Sequence, residues 1–321
     1  MLASLAAQLN QSLSLLQKQD IQTAAQALKS EKWASSQVLL GDDCAAIPDG
    51  DGYLLLAAEG MLPLLVDTDP WFAGWSAIMV NVSDIYAMGG TAIAVVDTLW
   101  SNSRNNEAIW AGMKAASKAY NVPIVGGHTN CHSPYNALSV AILGRAKQLI
   151  SSFKAQAGDR ILVAIDFQGK PHPQYNFWNA ATTADPAQLR ENLAILPQLA
   201  QSGLCDAGKD ISMGGIIGTL LMLLETSSCG AVLNVEQIPR PQELSLERWL
   251  LSFPSYGFLL SVRPDNVAAV QSCFQKQNIV CAEIGEIQSN SQLVLTSHQE
   301  SIVFWDLAKQ SLTGFSNQRA Q

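Results

Sequence analysis

The chain has 321 residues, 48% of them apolar and 14% charged, with a formal net charge of -8. That length and apolar content supply the cores of a globular, soluble protein of two ordinary domains and exclude a disordered chain. No stretch gathers Lys and Arg into a basic face, so the acidic balance excludes phosphate-backbone binding as the main role and leaves small-molecule chemistry.

The opening MLASLAAQLNQSLSLLQKQD lacks a basic start and is interrupted by Gln and Asn, so it reads neither as a signal peptide nor as a membrane span. Leu2, Leu5, Leu9, Leu13 and Leu16 recur at helical spacing instead. Six cysteines without a CxxC pair fit reduced thiols in a cytoplasmic protein and no disulfide framework. QVLLGDDCAAI (37–47) and GYLLLAAEGM (52–61) read as strands ending at acidic residues, with PDGDG as the turn between them. Residues 70–88 form an expected amphipathic helix whose apolar positions are Trp71, Trp75, Ile78, Met79, Val82, Ile85 and Met88. A strand TAIAVVDTLW (91–100), a helix over 104–120, a short strand VPIVGGHT (122–129) running into a Gly pair, and a strand ALSVAILGRA (137–146) complete this half.

The polar KQLISSFKAQAGD breaks the apolar rhythm and sets a boundary near residue 150, dividing the chain into domains 1–150 and 151–321. The second half offers a strand RILVAID (160–166), a helix after the Asp185-Pro186 cap pair, and a helix in GGIIGTLLMLLET that ends before Gly230. Strands AVLNVEQI, YGFLLSVRP, VCAEIGEI and QLVLT interleave with a helix around 265–277. This alternation predicts two α/β or α+β domains.

Four acidic stations stand where an apolar segment meets Gly or a turn: Asp42-Asp43, Glu59, Asp84 and Asp210. Singly each has a structural reading, a turn or helix cap for Asp42, Asp43 and Asp210 and a solvated side chain for Glu59. Asp84 is the hardest to explain locally, because a carboxylate in the last turns of a helix faces the negative end of its dipole. If these carboxylates converge they repel, and a divalent cation resolves the repulsion; Mg²⁺, which takes carboxylate and phosphate oxygens, suits such a cage. VGGHT (125–129) and SMGG (212–215) are Gly corners with backbone N–H groups for phosphate. GxxxxGK[ST], GxGxxG and GxSxG are all absent, and His128, Cys131 and His132 lack the spacing of a specific zinc site. The Trp residues, Trp71, Trp75 and Trp100 among them, read as core or dimer-interface residues.

In order and spacing, GDDCAAI, AAEG, DPWFAGWSAIMVNVSDIYAMGG, PIVGGHT, AQAGDRILV and KDISMGG, over roughly residues 38 to 290, resemble the AIR synthase-related (PurM-like) superfamily of ATP-dependent enzymes. The N-terminal half is most similar to selenophosphate synthetases, and GDDCA with NVSD is equally similar to thiamine-monophosphate kinases. The resemblance implies a two-domain α/β (α+β) fold, with an N-terminal domain pairing as a β-barrel across a homodimer, a mixed α/β C-terminal domain and ATP in a cleft. It implies Mg²⁺ at Asp43, Asp84 and Asp210, with Glu59 where the family has an aspartate near metals and nucleotide. Gly126, Gly127, His128 and Thr129 match a nucleotide-phosphate turn, and Ser212 opens the second cofactor-binding corner. The implied partners are a small-molecule substrate and a second copy, with neither nucleic acid nor membrane.

The implied activity is ATP- and Mg²⁺-dependent phosphorylation, or activation by phosphate, of a small molecule. The alternatives are a nucleotide-binding or assembly protein that has lost turnover, and thiamine-monophosphate kinase or selenophosphate synthetase activity. Residues 1–40 hold no Cys and no Gly, against selenide chemistry. Met213 replaces the second aspartate of the kinase SDG pattern, SFPSYGFLL replaces its GGEDYEL region, and the ending FSNQRAQ lacks the cysteine of a related hydrogenase maturation factor. DFQGKPHPQYNFWN and SFPSYG are the segments expected to shape an acceptor site.

Overall fold

The computed structural model describes residues 2–29, 38–102 and 104–316. Contacts divide the chain into two compact units that are not contiguous in sequence: an N-terminal unit of 43–148 with 181–198, and a C-terminal unit of 1–42, 149–180 and 199–321. The N-terminal helices therefore fold with the second half of the chain.

Those helices are α1 (Leu2–Asn10), α2 (Leu13–Leu16) and α3 (Ile21–Lys29). Leu2, Ala6, Leu9 and Leu15 join the core of the C-terminal unit. The expected leucine stripe does not continue, because Ser12 is extended and resets the helical phase. Leu15 turns inward, while Leu13 and Leu16 are left 73% and 39% exposed.

The N-terminal unit contains β1 (Ala45–Asp49), β2 (Gly52–Gly60), α4 (Pro63–Thr68), α5 (Pro70–Ala87), β3 (Thr91–Trp100), α6 (Asn106–Tyr120), β4 (Ile124–Asn130), β5 (Ala137–Ala146), α7 (Pro186–Leu193) and the start of α8 (Ile195–Gln201). Its sheet runs β1-β2-β5-β3-β4, antiparallel except for the β3–β4 pair, which α6 connects. β1 is shorter than its sequence suggests: 38–39 are irregular and 40–44 form bends, and Gln37, the first residue of the expected strand, lies outside the described residues.

Asp69 caps α5 by accepting from the Phe72 N–H at 3.2 Å, and Pro70 occupies its first turn. Gly89, at φ +72°, ends it, with the Gly90 N–H reaching back to the Ile85 carbonyl. The helix is buried almost all round rather than amphipathic, because α6 covers one side and the sheet another. Close approach needs glycine at both contacts: a Cβ at Gly112 on α6 would overlap the Trp71 carbonyl oxygen, and one at Gly144 on β5 would stand 2.6 Å from Ile85.

The C-terminal unit adds β6 (Arg160–Ile165), β7 (Lys170–Pro171), β8 (Phe177–Asn179), β9 (Ala207–Asp210), α9 (Gly215–Ser227), β10 (Gly230–Asn234), α10 (Leu246–Leu250), β11 (Phe253–Pro254), β12 (Gly257–Val262), α11 (Val267–Gln275), β13 (Val280–Gln288), β14 (Gln292–Ser297) and β15 (Glu300–Asp306). Its large sheet runs β15-β14-β10-β13-β6-β12-β9. The segments expected to shape an acceptor site meet in a small β11-β8-β7 sheet. α9 is buried nearly throughout, and its Glu225 carboxylate accepts from the N–H groups of Leu312, Thr313 and Gly314 and from the Thr313 hydroxyl, tying the C-terminal segment to the core. Among the described residues no helix is long and apolar enough to cross a membrane.

The α5–α6 contact yields a direct test. Gly112→Ala drives a methyl group into the backbone of α5 and is expected to cost about 2 kcal/mol in urea unfolding, the range for overpacking a dense core.

Candidate metal and nucleotide site

The two neighbouring carboxylates of GDDC have different environments. Asp42, with a side chain 3% exposed, accepts from the Ser151 hydroxyl at 2.6 Å and from the Ser152 N–H at 3.1 Å, and the Lys209 ammonium stands 3.9 Å away. It is a structural anchor. Asp43 is half-buried, and its carboxylate oxygen lies within 4.8 Å of that of Asp84 on α5.

Asp84 is itself buried. Three residues before it on the helix, Asn81 is wholly buried; its amide donates to the Ala77 carbonyl at 2.8 Å, and its Oδ1 has no hydrogen-bond partner among the described residues. A buried oxygen acceptor left without a donor, one helical turn before one of two close carboxylates, is costly as it stands and fits a hard cation, whose ligands are oxygens. The residues present thus suit Mg²⁺ by donor type.

Asp210 is the last residue of β9, buried and paired with Phe258 of β12. It is a strand residue rather than a helix cap, since Gly214 is the residue that caps α9. Ser212 follows it, within 3.3 Å of the Lys18 ammonium, and its N–H donates to the Thr219 hydroxyl. Gly214 and Gly215 then adopt positive φ, +99° and +62°, to start α9, where a Cβ at 215 would overlap the Leu250 carbonyl oxygen. Glu59 stands exposed near the end of β2.

Gly126, Gly127, His128 and Thr129 are not a turn. They lie inside β4, an edge strand in parallel register with β3, because the pairing of Val96 through Leu99 continues past the glycines. All four are exposed, and the His128 ring packs 5.7 Å from Trp100. Cys131 accepts from the Asn106 amide, and with His128 and His132 it forms no three-ligand group among the described residues. Burial pushes the thiols of Cys205, Cys229 and Cys281 up to about 12, so none of the three is a thiolate nucleophile at neutral pH.

Sequence reasoning passed over Asp97. It occupies an inward position of β3 between buried Val95 and Leu99, is 3% exposed, and its Oδ2 has no hydrogen-bond partner among the described residues. Opposite it, a Cβ at Gly127 would overlap the Asp97 carboxylate and carbonyl oxygens, which is why that position is glycine. The signal available was a lone carboxylate on the apolar phase of an alternating strand.

The chain matches the family described as AIR synthase related protein, with the N-terminal domain over residues 41–146 and the C-terminal domain over residues 157–298. It belongs to the AIR synthase related family. An uncharacterized protein of Synechocystis sp. is 57% identical over 319 residues, 98% of this chain and 99% of that protein. A thiamine-monophosphate kinase of Synechococcus elongatus is 28% identical over 277 residues, covering 77% of this chain and 84% of the kinase. In fold, the chain is similar to T. maritima PurL complexed with ADP, at a TM-score of 0.75 and 14% identity, over 94% of this chain and 52% of that one. The chain thus spans about half the length of that structural relative. The mixed α/β two-domain fold is the fold expected for the family.

Asp97 carries a pH prediction. Desolvation raises its pKa above the ordinary carboxylate value, against a lowering by its own backbone N–H. The unfolded chain therefore releases this proton first, near about pH 4, and stability falls as pH rises from there through the folded pKa. In metal-free protein Asp97→Asn is expected to remove that component, read as a shallower loss of denaturant stability from acid to neutral pH; superimposable profiles would show that Asp97 contributes nothing.

Proposed function

We propose that this chain is an ATP- and Mg²⁺-dependent enzyme that phosphorylates a small molecule or activates it by phosphorylation, with Asp43, Asp84 and Asp210 holding the cation. The approach of the Asp43 and Asp84 carboxylates to within 4.8 Å carries the reading. It is supported by membership of a family with a thiamine-monophosphate kinase among this chain's relatives and by a structural relative complexed with ADP. When bound, the cation supplies neutralisation of phosphate charge. In this reading Glu59 supports the metal ligands, the Gly126–Thr129 backbone orients phosphates from the open edge of β4, and Ser212 with Lys18 offers a polar group and a positive charge at the start of α9. Transfer of a phosphoryl group depends mainly on positioning and charge, so no protein nucleophile is required.

Two narrower readings each have one residue-level argument. The kinase relative favours thiamine monophosphate as acceptor, against which stands SFPSYGFLL in place of the kinase's GGEDYEL. Met213, in place of the second aspartate of SDG, favours a nucleotide-binding assembly protein without turnover.

Calorimetry with a non-hydrolysable ATP analogue is expected to show binding that requires Mg²⁺ and that Asp84→Asn weakens by about tenfold or more, the scale of losing a group that holds or orients a metal. Mg²⁺-independent binding, or wild-type affinity in the variant, would remove Asp84 from the site. ADP release with thiamine monophosphate and a panel of amine, amidine and alcohol acceptors then separates enzyme from binder.

The partner in this reading is a second copy of the chain, docked on the outer face of the five-stranded sheet. Leu56, Val96 and Leu143 project from that face, 47%, 42% and 38% exposed, with Leu56 directly opposite Leu143. Such a contiguous apolar sheet face fits an oligomer interface. Leu143→Glu is expected to convert a dimer to a monomer in sedimentation velocity, and a monomeric wild type would refute the interface.

A further inference from the structure

We propose that the buried Asp42–Lys209 ion pair is a positioning device for the cation site, with Lys209 acting through Asp42 rather than by touching cation or nucleotide. This rests on the proposed function. Each member of the pair immediately precedes a proposed metal ligand: Asp42 precedes Asp43, and Lys209 precedes Asp210. Both side chains are withdrawn from solvent, at 3% and 4% exposure, with the ammonium 3.9 Å from the carboxylate.

The two ends of the pair differ in how firmly the backbone holds them. Lys209 lies within β9, in register with Leu259 of β12, and successive strand side chains point to opposite faces, so Lys209 and Asp210 diverge from one rigid support. Asp42 lies among the bends of 40–44, where no strand ladder fixes the chain. That loop is held by side chains instead. The Ser151 hydroxyl, the Ser152 N–H and Lys209 converge on Asp42, and Phe315 packs against Gly41, which adopts φ +110° and where a Cβ would stand 2.6 Å from the phenylalanine Cβ. The geometry thus joins the irregular segment that leads into Asp43 to the strand that carries Asp210.

Net stability is a weak reason for such a pair. Replacing both members of a buried ion pair by neutral groups of similar size is often neutral for folding, whereas removing one leaves an uncompensated charge. A positioning role makes a different demand: the charge on Lys209 should matter to metal binding even when folding is unaffected.

The test uses the full chain and Mn²⁺ alone as probe, with affinity from the free-Mn²⁺ electron paramagnetic resonance signal and thermal stability measured separately in EDTA. The double variant Asp42→Asn/Lys209→Met removes both charges of the pair together; it is expected to melt close to wild type in EDTA yet bind Mn²⁺ about tenfold more weakly. Lys209→Arg, which keeps the charge, is expected to retain most of the affinity. Wild-type Mn²⁺ affinity in the double variant overturns the proposal, as does a loss that Lys209→Arg shares in full. Should the double variant fail to fold, Ser151→Ala, which removes one hydrogen bond from Asp42, is expected to weaken Mn²⁺ binding with the melting point retained, and unchanged affinity there overturns the proposal as well. A wild-type protein that binds no Mn²⁺ refutes the cation site itself, an outcome distinct from an unaffected variant.

Discussion

Two carboxylates cannot be drawn together in a partly buried corner without a countercharge or a shifted proton, and Asp43 and Asp84 are held within 4.8 Å of each other. The N-terminal unit is built to maintain that approach. Asp84 is fixed because α5 is immobilised on its sides by α6 and the sheet, with Gly112 and Gly144 allowing the backbones to close. The helix that bears the charge is thus buried almost all round, the setting that the proposed ligand role requires.

The contrast between Asp42 and Asp43 shows how one dipeptide divides two tasks. Asp42 satisfies a serine hydroxyl and a backbone N–H and faces a buried lysine, all within the C-terminal unit. Asp43 is left to face Asp84. The same unit closes its own end with Glu225, whose four hydrogen bonds to residues 312–314 bring the C-terminal segment into the core and set Phe315 over Gly41. The start of the first acidic motif is therefore supported by the end of the chain.

Much of the fold was legible from pattern. α5, β3, β5, β6, α7, α9 and β12 lie close to where periodicity and capping placed them, because each has a continuous apolar phase or, for α7, the Asp185-Pro186 cap. The departures have specific causes. The leucine stripe failed at Ser12, whose extended backbone restarts the helix one phase later. GDDC looked like a strand end but is a bend held by side chains, and GGHT looked like a turn but is an edge strand, because its ladder with β3 carries through two glycines that no local propensity would have kept extended. α5 looked amphipathic, yet α6 buries the face that would otherwise have met solvent.

By itself the sequence determined the order of the elements, the family and the set of acidic candidates, since these depend on residue type, spacing and local geometry. Only the tertiary structure decided that Asp42 is an anchor while Asp43 approaches Asp84, that Asp97 is a buried carboxylate against Gly127, and that the N-terminal helices complete the later unit. The physical reason is range. Asp42 finds its hydroxyl donor 109 residues away, and no local rule tells which of two adjacent aspartates will meet a partner that distant.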